Sequence, residues 1–223
     1  MKSESFVEIT GKLSGTMLMM VMLTTDASSD PIQHAIAHYQ SISTYQAVIE
    51  SLHAQSSEPD VIRYYYKKPG YVRMEVIAPK FSGAVLIYTP ESRLIKVWLF
   101  GHGHFPYFSF SPENKLVQSP SGQRVDRSDL GAFFHNVTTL QSKGNTTAIS
   151  NESIAGQSTL HFEVEAHKGV SISGVSKFQL WLDPVTGFPL KVMSYKVDGE
   201  LIERVVMSDH KINPVFPVGF FDH

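Results

Sequence analysis

His102 and His104, with Gly103 between them, come nearest to a chemical site in this chain by residue type and spacing. On a strand, an i, i+2 pair puts both imidazoles on one face and supplies half of a tetrahedral zinc set. No second pair of ligands accompanies them, and ten histidines in 223 residues make one such coincidence ordinary. A loop carrying two histidines is therefore expected, with no metal and no cofactor. Serine, histidine and aspartate are all present, but a distributed triad needs a nucleophile held on a recognisable turn. No G-x-S-x-G elbow or H-E-x-x-H pair occurs, and Gly101-His102-Gly103 lacks the later glycine and the helix of a phosphate-cradling loop. No catalytic residue can be named, so the chain reads as a non-enzyme, with a hydrolase or metal enzyme as the distant alternative.

Two further patterns carry little. The sequons at Asn136, Asn145 and Asn151 are taken as chance matches. Tyr64-Tyr65-Tyr66 could stack on bases or sugars, but in a strand successive side chains alternate between faces. Packing on one face and a half-exposed surface on the other is the expected outcome.

Composition narrows the class. With 42% hydrophobic and 18% charged residues the chain is globular, and its length suits one large all-β domain. The 19 basic residues form no stripe and the formal net charge is −2, so nucleic acid is not an expected partner. The absence of cysteine removes disulfides, thiolate chemistry and a lipid-modified N-terminal cysteine. Leu13 to Leu23 is an apolar run of 11 residues, short of the roughly 20 that span a bilayer. Lys2 and Lys12 precede it, and the small residues Thr25 and Ala27 follow. Residues 1–27 are accordingly expected to be a signal peptide and 28–223 a single exported, soluble domain.

The elements that must position any site follow from periodicity. Asp30 suits an N-cap and Pro31 the first helical position, with Ile32, Ala35, Ile36 and Tyr39 at helical spacing. Strands are expected over 44–52, 61–67, 71–77, 83–88 and 94–100, then over 146–154, 159–166, 175–182, 190–197 and 200–208. Between the two sets, 101–129 reads as loops around one or two short strands. A second helix then runs over 129–140 with Ser128 as its N-cap. Asp198-Gly199 predicts a type I′ hairpin turn.

Ten or more strands and two helices imply a strongly curved, unclosed antiparallel sheet, a half-barrel of about ten strands with helices as a lid. In strand 71–77 Arg73 and Glu75 share one face, so Val72, Met74 and Val76 should point toward the helices around Ile36 and Phe134. These five residues are either plain core or the lining of an apolar cavity.

The segment Tyr66 to Pro79 (YKKPGYVRMEVIAP) followed by Val85-Leu86-Ile87-Tyr88 resembles the outer-membrane lipoprotein carrier and sorting proteins. In that family a strand ends in a basic residue and proline, a turn leads to a second strand ending in proline, and a third strand follows. Leu180 to Val192 (LWLDPVTGFPLKV), Ile212-Asn213-Pro214, Phe216 and Phe220-Phe221 add to the resemblance. It implies a periplasmic protein whose cavity shelters the acyl chains of lipoproteins or lipids, with no cofactor and no reaction. An inner-membrane release complex and an outer-membrane acceptor would be its further partners, and a periplasmic sensor of envelope stress on the same fold is the alternative. The basic position before the proline, an arginine in well-known carriers and associated with holding the lid, is Lys68 here. Lysine lacks the forked donors of arginine, which favours a broader member of the superfamily.

Overall fold

In a computed structural model, residues 30–78 and 80–222 of the chain are described. The expected signal peptide, 1–27, lies outside them. Asp30 caps α1 (Pro31–Ser41), its Oδ1 accepting the Ile32 amide at 2.9 Å. Six strands follow: β1 (Thr44–His53), β2 (Asp60–Lys67), β3 (Tyr71–Ala78), β4 (Val85–Thr89), β5 (Leu94–Trp98) and β6 (Tyr107–Phe110). Two short 3-10 turns, Lys115–Val117 and Val125–Arg127, lead to α2 (Leu130–Gln141). The chain closes with β7 (Gly144–Ile154), β8 (Gln157–Ala166), β9 (Lys177–Leu182), β10 (Pro189–Tyr195) and β11 (Leu201–Ile212).

All eleven strands form one open antiparallel sheet in the order β6-β5-β4-β3-β2-β1-β11-β10-β9-β8-β7. Two meanders are joined where β1 pairs with β11, so the first and last strands lie at the centre. The chain leaves one edge at β6 and resumes at the opposite edge at β7, so residues 111–143 must cross the sheet, and they do so on its inner face.

Period-two alternation sorts the side chains. Ladder register aligns Phe110, Ile95, Tyr88, Val72, Tyr66 and Tyr45 across six strands, and Phe108, Val97, Leu86, Met74, Tyr64 and Ala47 in the next row. Both rows belong to the inner face, where the main core collects Ile32, Leu130, Phe134, Val137 and Leu140 from the helices. The outer face takes Arg73, Glu75, Tyr65 and Trp181. Edge strand β7 is exposed along nearly its whole length, and Glu152 ties it down by accepting from Trp181 Nε1 and His161 Nδ1, each at 2.9 Å. Those bonds, Trp181 first and then His161, hold the Glu152 carboxyl below the ordinary range.

Three expectations are corrected. The N-cap of α2 is Asp129, whose Oδ1 accepts from Gly131 and Ala132. Ser128 instead closes the preceding 3-10 turn, its hydroxyl donating to the Val125 carbonyl at 2.7 Å. The β10–β11 turn is not type I′, because only Gly199 takes positive φ, +85°. A type I turn closed by the Gly199 amide on the Lys196 carbonyl precedes it, and Gly199 makes the bulge of a three-residue loop. Val175 lies outside β9, in an isolated bridge with Ile172.

The β9–β10 turn seats α1. Gly187 has φ +65°, and a Cβ there would lie 2.5 Å from the Ala35 backbone, so the helix rests directly on the turn. Asp183 organises this turn, accepting from the Val185 and Thr186 amides, the Thr186 hydroxyl and Gln157. Burial raises its carboxyl, but these bonds outweigh burial and leave it below the ordinary range. The Asp183 carboxylate therefore stabilises the fold above the range where an ordinary aspartate titrates, and that contribution is lost as pH falls through the depressed value.

Gly187→Ala should destabilise the protein by about 2–3 kcal/mol, read by thermal melting, because left-handed strain and a backbone clash coincide. In Asp183→Asn the acid limb of the stability–pH curve should be flatter than in the wild type; an unchanged limb would place the acid sensitivity elsewhere.

Candidate functional site

The inner face of the sheet and the elements that cross it form the candidate site. The two helices act as one body because each N-cap aspartate is bonded by the other helix. Asp30 Oδ2 accepts from Gln141 Nε2 at 2.8 Å, and Asp129 Oδ1 accepts from the Tyr39 hydroxyl at 2.9 Å. The pair is antiparallel and pinned at both ends. Gly131 permits the close approach, since a Cβ would lie 2.9 Å from the Tyr39 ring.

Below the helices lies a tyrosine layer. Tyr45 is stacked on Tyr64 and lies beside Tyr66, and its hydroxyl accepts the Leu130 amide at 3.1 Å, satisfying an orphan donor of the α2 first turn. Tyr64 is bonded to Ser128 at 3.1 Å. Burial, more than any neighbour, pushes the Tyr39, Tyr45, Tyr64 and Tyr66 hydroxyls up, and the Asp129 carboxylate adds to it. The layer stays neutral through the physiological range.

Lys68 meets the C-terminal end of α1. Its Nζ donates to the Tyr39 and Gln40 carbonyls, at 3.1 and 2.9 Å, and sits 4.8 Å above the Tyr39 ring. Those carbonyls belong to the last turn of α1, at the negative end of the helix dipole, and the Tyr39 carbonyl also accepts the Ile42 amide at 3.1 Å. The Lys68 backbone is itself fixed by donation to the Ser43 carbonyl at 2.9 Å.

α2 lies over β7 and β8 and α1 lies against α2, whereas the 3-10 turn Val125–Arg127 lies against β3. Val72 and Phe134 are core, 2% and 3% exposed. Met74 and Ile36 are partly buried against that core, and Val76 is half-buried near the end of β3. Around them the inner face is unevenly covered. Ile49, Ile62, Leu86 and Met207 are only partly buried, and Phe108 on edge strand β6 is exposed. Register places Met207, Ile49, Ile62 and Val76 side by side on four neighbouring strands, a band beyond the helices. Two open hollows, of about 380 Å³ at the β1 bulge and about 230 Å³ between α1 and the Asp183–Gly187 turn, are not lined by any of the five expected cavity residues.

The remaining expected features are placed as follows. Tyr64 and Tyr66 face inward, while Tyr65 meets Phe216 and Phe220 on the outer face. His102 packs edge-on against Trp98 and reaches the Asp222 carbonyl at 3.2 Å. Among the described residues no group of three or more His, Cys, Asp or Glu could hold a metal ion. No helix among them is long and apolar enough to cross a membrane. Asn213, within the closing Ile-Asn-Pro, accepts the Ser43 amide at 2.8 Å and so ties the end of β11 to the start of β1. The Asp30–Gln141 and Tyr39–Asp129 bonds escape sequence reading because their partners stand 111 and 90 residues apart. The only local signal was the cap itself.

No protein-family model matches the sequence, and no curated protein does either. Solved structures share the fold. The Mycobacterium tuberculosis lipoprotein LppX is 13% identical with a TM-score of 0.52, the match covering 83% of this chain and 95% of that one. An uncharacterized conserved protein from Thermus thermophilus is 10% identical with a TM-score of 0.51, covering 87% and 94%. A domain from Vibrio parahaemolyticus named as an outer-membrane lipoprotein-sorting protein is 16% identical with a TM-score of 0.44, covering 86% and 94%. The resemblance read from the residues holds at the level of fold.

Lys68→Met removes both carbonyl bonds and the contact with the Tyr39 ring, at a cost of about 1–2 kcal/mol. Amide hydrogen exchange should speed up in 32–41 and stay unchanged in β1 to β3, with Lys68→Arg recovering part of the protection. Unaltered exchange in α1 would show that other contacts hold the helix.

Proposed function

We propose that this protein is a non-catalytic periplasmic binding protein that shelters the acyl chains of lipoproteins or lipids on the inner face of its sheet and carries them toward the outer membrane. The observation that supports this most is the band of partly buried apolar residues, Met207, Ile49, Ile62 and Val76 with Met74, Leu86 and Phe108 beside it, at the margin of a two-helix lid. Each acyl methylene left in water costs about 0.8 kcal/mol, so a lipidated cargo crossing an aqueous compartment needs such a surface. Displacing the lid would extend the band onto Val72 of the sheet and uncover Phe134 on the underside of the lid itself. Shared fold with a mycobacterial lipoprotein fits this reading, though fold alone does not assign function.

Release and delivery partners follow from the same reading: a membrane complex that loads the cargo and an acceptor that removes it. Export depends on residues 1–27 acting as a signal peptide. Mass spectrometry of the protein purified from its native host tests both halves of the proposal, since an N-terminus at Ser28 and copurifying acylated molecules are the expected findings.

A fluorescent fatty-acyl probe should bind the folded full-length chain and be displaced by a lipopeptide. Met74→Glu places an unpaired carboxylate on the partly buried row and should weaken probe binding about tenfold or more without altering the far-ultraviolet circular dichroism. A folded wild type that takes up no acyl probe would end the proposal.

A further inference from the structure

We infer that the inner face carries a head-group subsite at Glu203, built for the cationic ammonium end of an acylated ligand. This rests on the acyl-binding reading and adds a ligand class to it. Ladder register sets Glu203 of β11 opposite His53 of β1 and Ser194 of β10, and Ser51 projects to the same face as His53. The cluster is largely withdrawn from solvent: His53 is 5% and Ser194 9% exposed, and the Glu203 side chain 15%. Ser51 donates to Glu203 Oε1, the same oxygen lies 3.6 Å from His53 Nε2, and Ser121 Oγ donates to Oε2 at 3.4 Å from the segment that crosses the inner face.

Unlike the paired strand glutamates Glu75, Glu163 and Glu50, this carboxylate has no permanent cation. On the outer face Glu75 is paired with Arg73 and Arg63, Glu163 with Lys177, and Glu50 with Arg204. Among the described residues Glu203 has only hydroxyls and one imidazole. A carboxylate on an apolar face favours a cation strongly, because the surrounding dielectric is low. An ammonium supplies three donors, which match a carboxylate flanked by serine hydroxyls.

Position links the cluster to the apolar band. Glu203 and Val205 are alternate residues of β11, as Ser51 and Ile49 are of β1, so each pair shares a face about 7 Å apart. An acyl chain laid along Ile49 and Met207 would bring its polar end to Glu203. Ser51 and His53 do not form a hydrolytic pair here, since the serine hydroxyl is spent on the carboxylate and not on the imidazole.

Displacement of an apolar dye from the full-length protein by dodecylammonium, dodecanol and dodecanoate at neutral pH tests the assignment. Dodecylammonium should bind about tenfold or more tighter than dodecanoate, with dodecanol between them. In Glu203→Gln the charge preference should vanish while dodecanol affinity, which also reports folding, is kept. Equal or reversed ranking in the wild type overturns the subsite whether or not the variant folds, and so does a preference that survives in a folded Glu203→Gln. If none of the three displaces the dye, the acyl-binding reading falls first and the subsite with it.

Discussion

The architecture turns on a mismatch of widths. Eleven strands about 4.8 Å apart would spread an inner face of roughly 48 Å if laid flat, while two helices side by side cover only about 20 Å. An apolar face that wide cannot be left in water, so the sheet curls around its own inner side and the chain itself supplies more cover. Residues 111–129 provide it, burying Val117 and Val125 against the core. The route is forced by topology, since the chain must travel from the β6 edge to the β7 edge. What remains half-covered at the margin is the band that includes Ile49, Ile62 and Val76.

The lid and the sheet are held by different kinds of contact. Strands are joined through continuous ladders from β6 to β7, whereas the helix pair is held by Ile32, Ala35, Leu130, Phe134, Val137 and Leu140 buried in the main core and, at a few polar points, by Lys68, Tyr45 and the two reciprocal caps. Each polar point contributes about 1 kcal/mol, less than the burial of a single leucine or phenylalanine side chain, so apolar packing is what holds the helices on the sheet. The reciprocal caps tie the two helices to each other, and their shared apolar stripe ties the pair to the sheet. The tyrosine hydroxyls of the layer under the pair stay neutral near physiological pH and place no charge beneath the helices.

Charge is partitioned between the two faces. Outward-facing carboxylates such as Glu75 and Glu163 are matched by arginine or lysine on the same or a neighbouring strand, as exposed β-surfaces commonly are. The inner face is mostly apolar, and Glu203, His53, Ser51 and Ser194 form a polar cluster near one end of it. An interruption of that kind costs stability, and it gives an otherwise non-directional surface a polar end. The Phe216, Phe220 and Phe221 cluster serves the opposite side, covering Tyr65 and lying under the Arg73 guanidinium.

Period-two alternation and turn residues were enough to read, from the chain alone, that this is a mainly antiparallel β-protein with two helices. They also placed Val72 and Met74 together on one face, while the interest of Lys68 came from the family resemblance. Those features are local, determined by steric alternation, propensity and the special backbones of Pro and Gly within a few residues. The 111–129 crossing was not legible, because it has no periodicity and its course is set by the two edges it must join. Nor were the Asp30–Gln141 and Tyr39–Asp129 bonds, or the meeting of Ser51 and His53 with Glu203 some 150 residues later. Register between β1 and β11 decided that meeting, and register is a property of the whole sheet: shifting it by one residue would turn Glu203 to the other face.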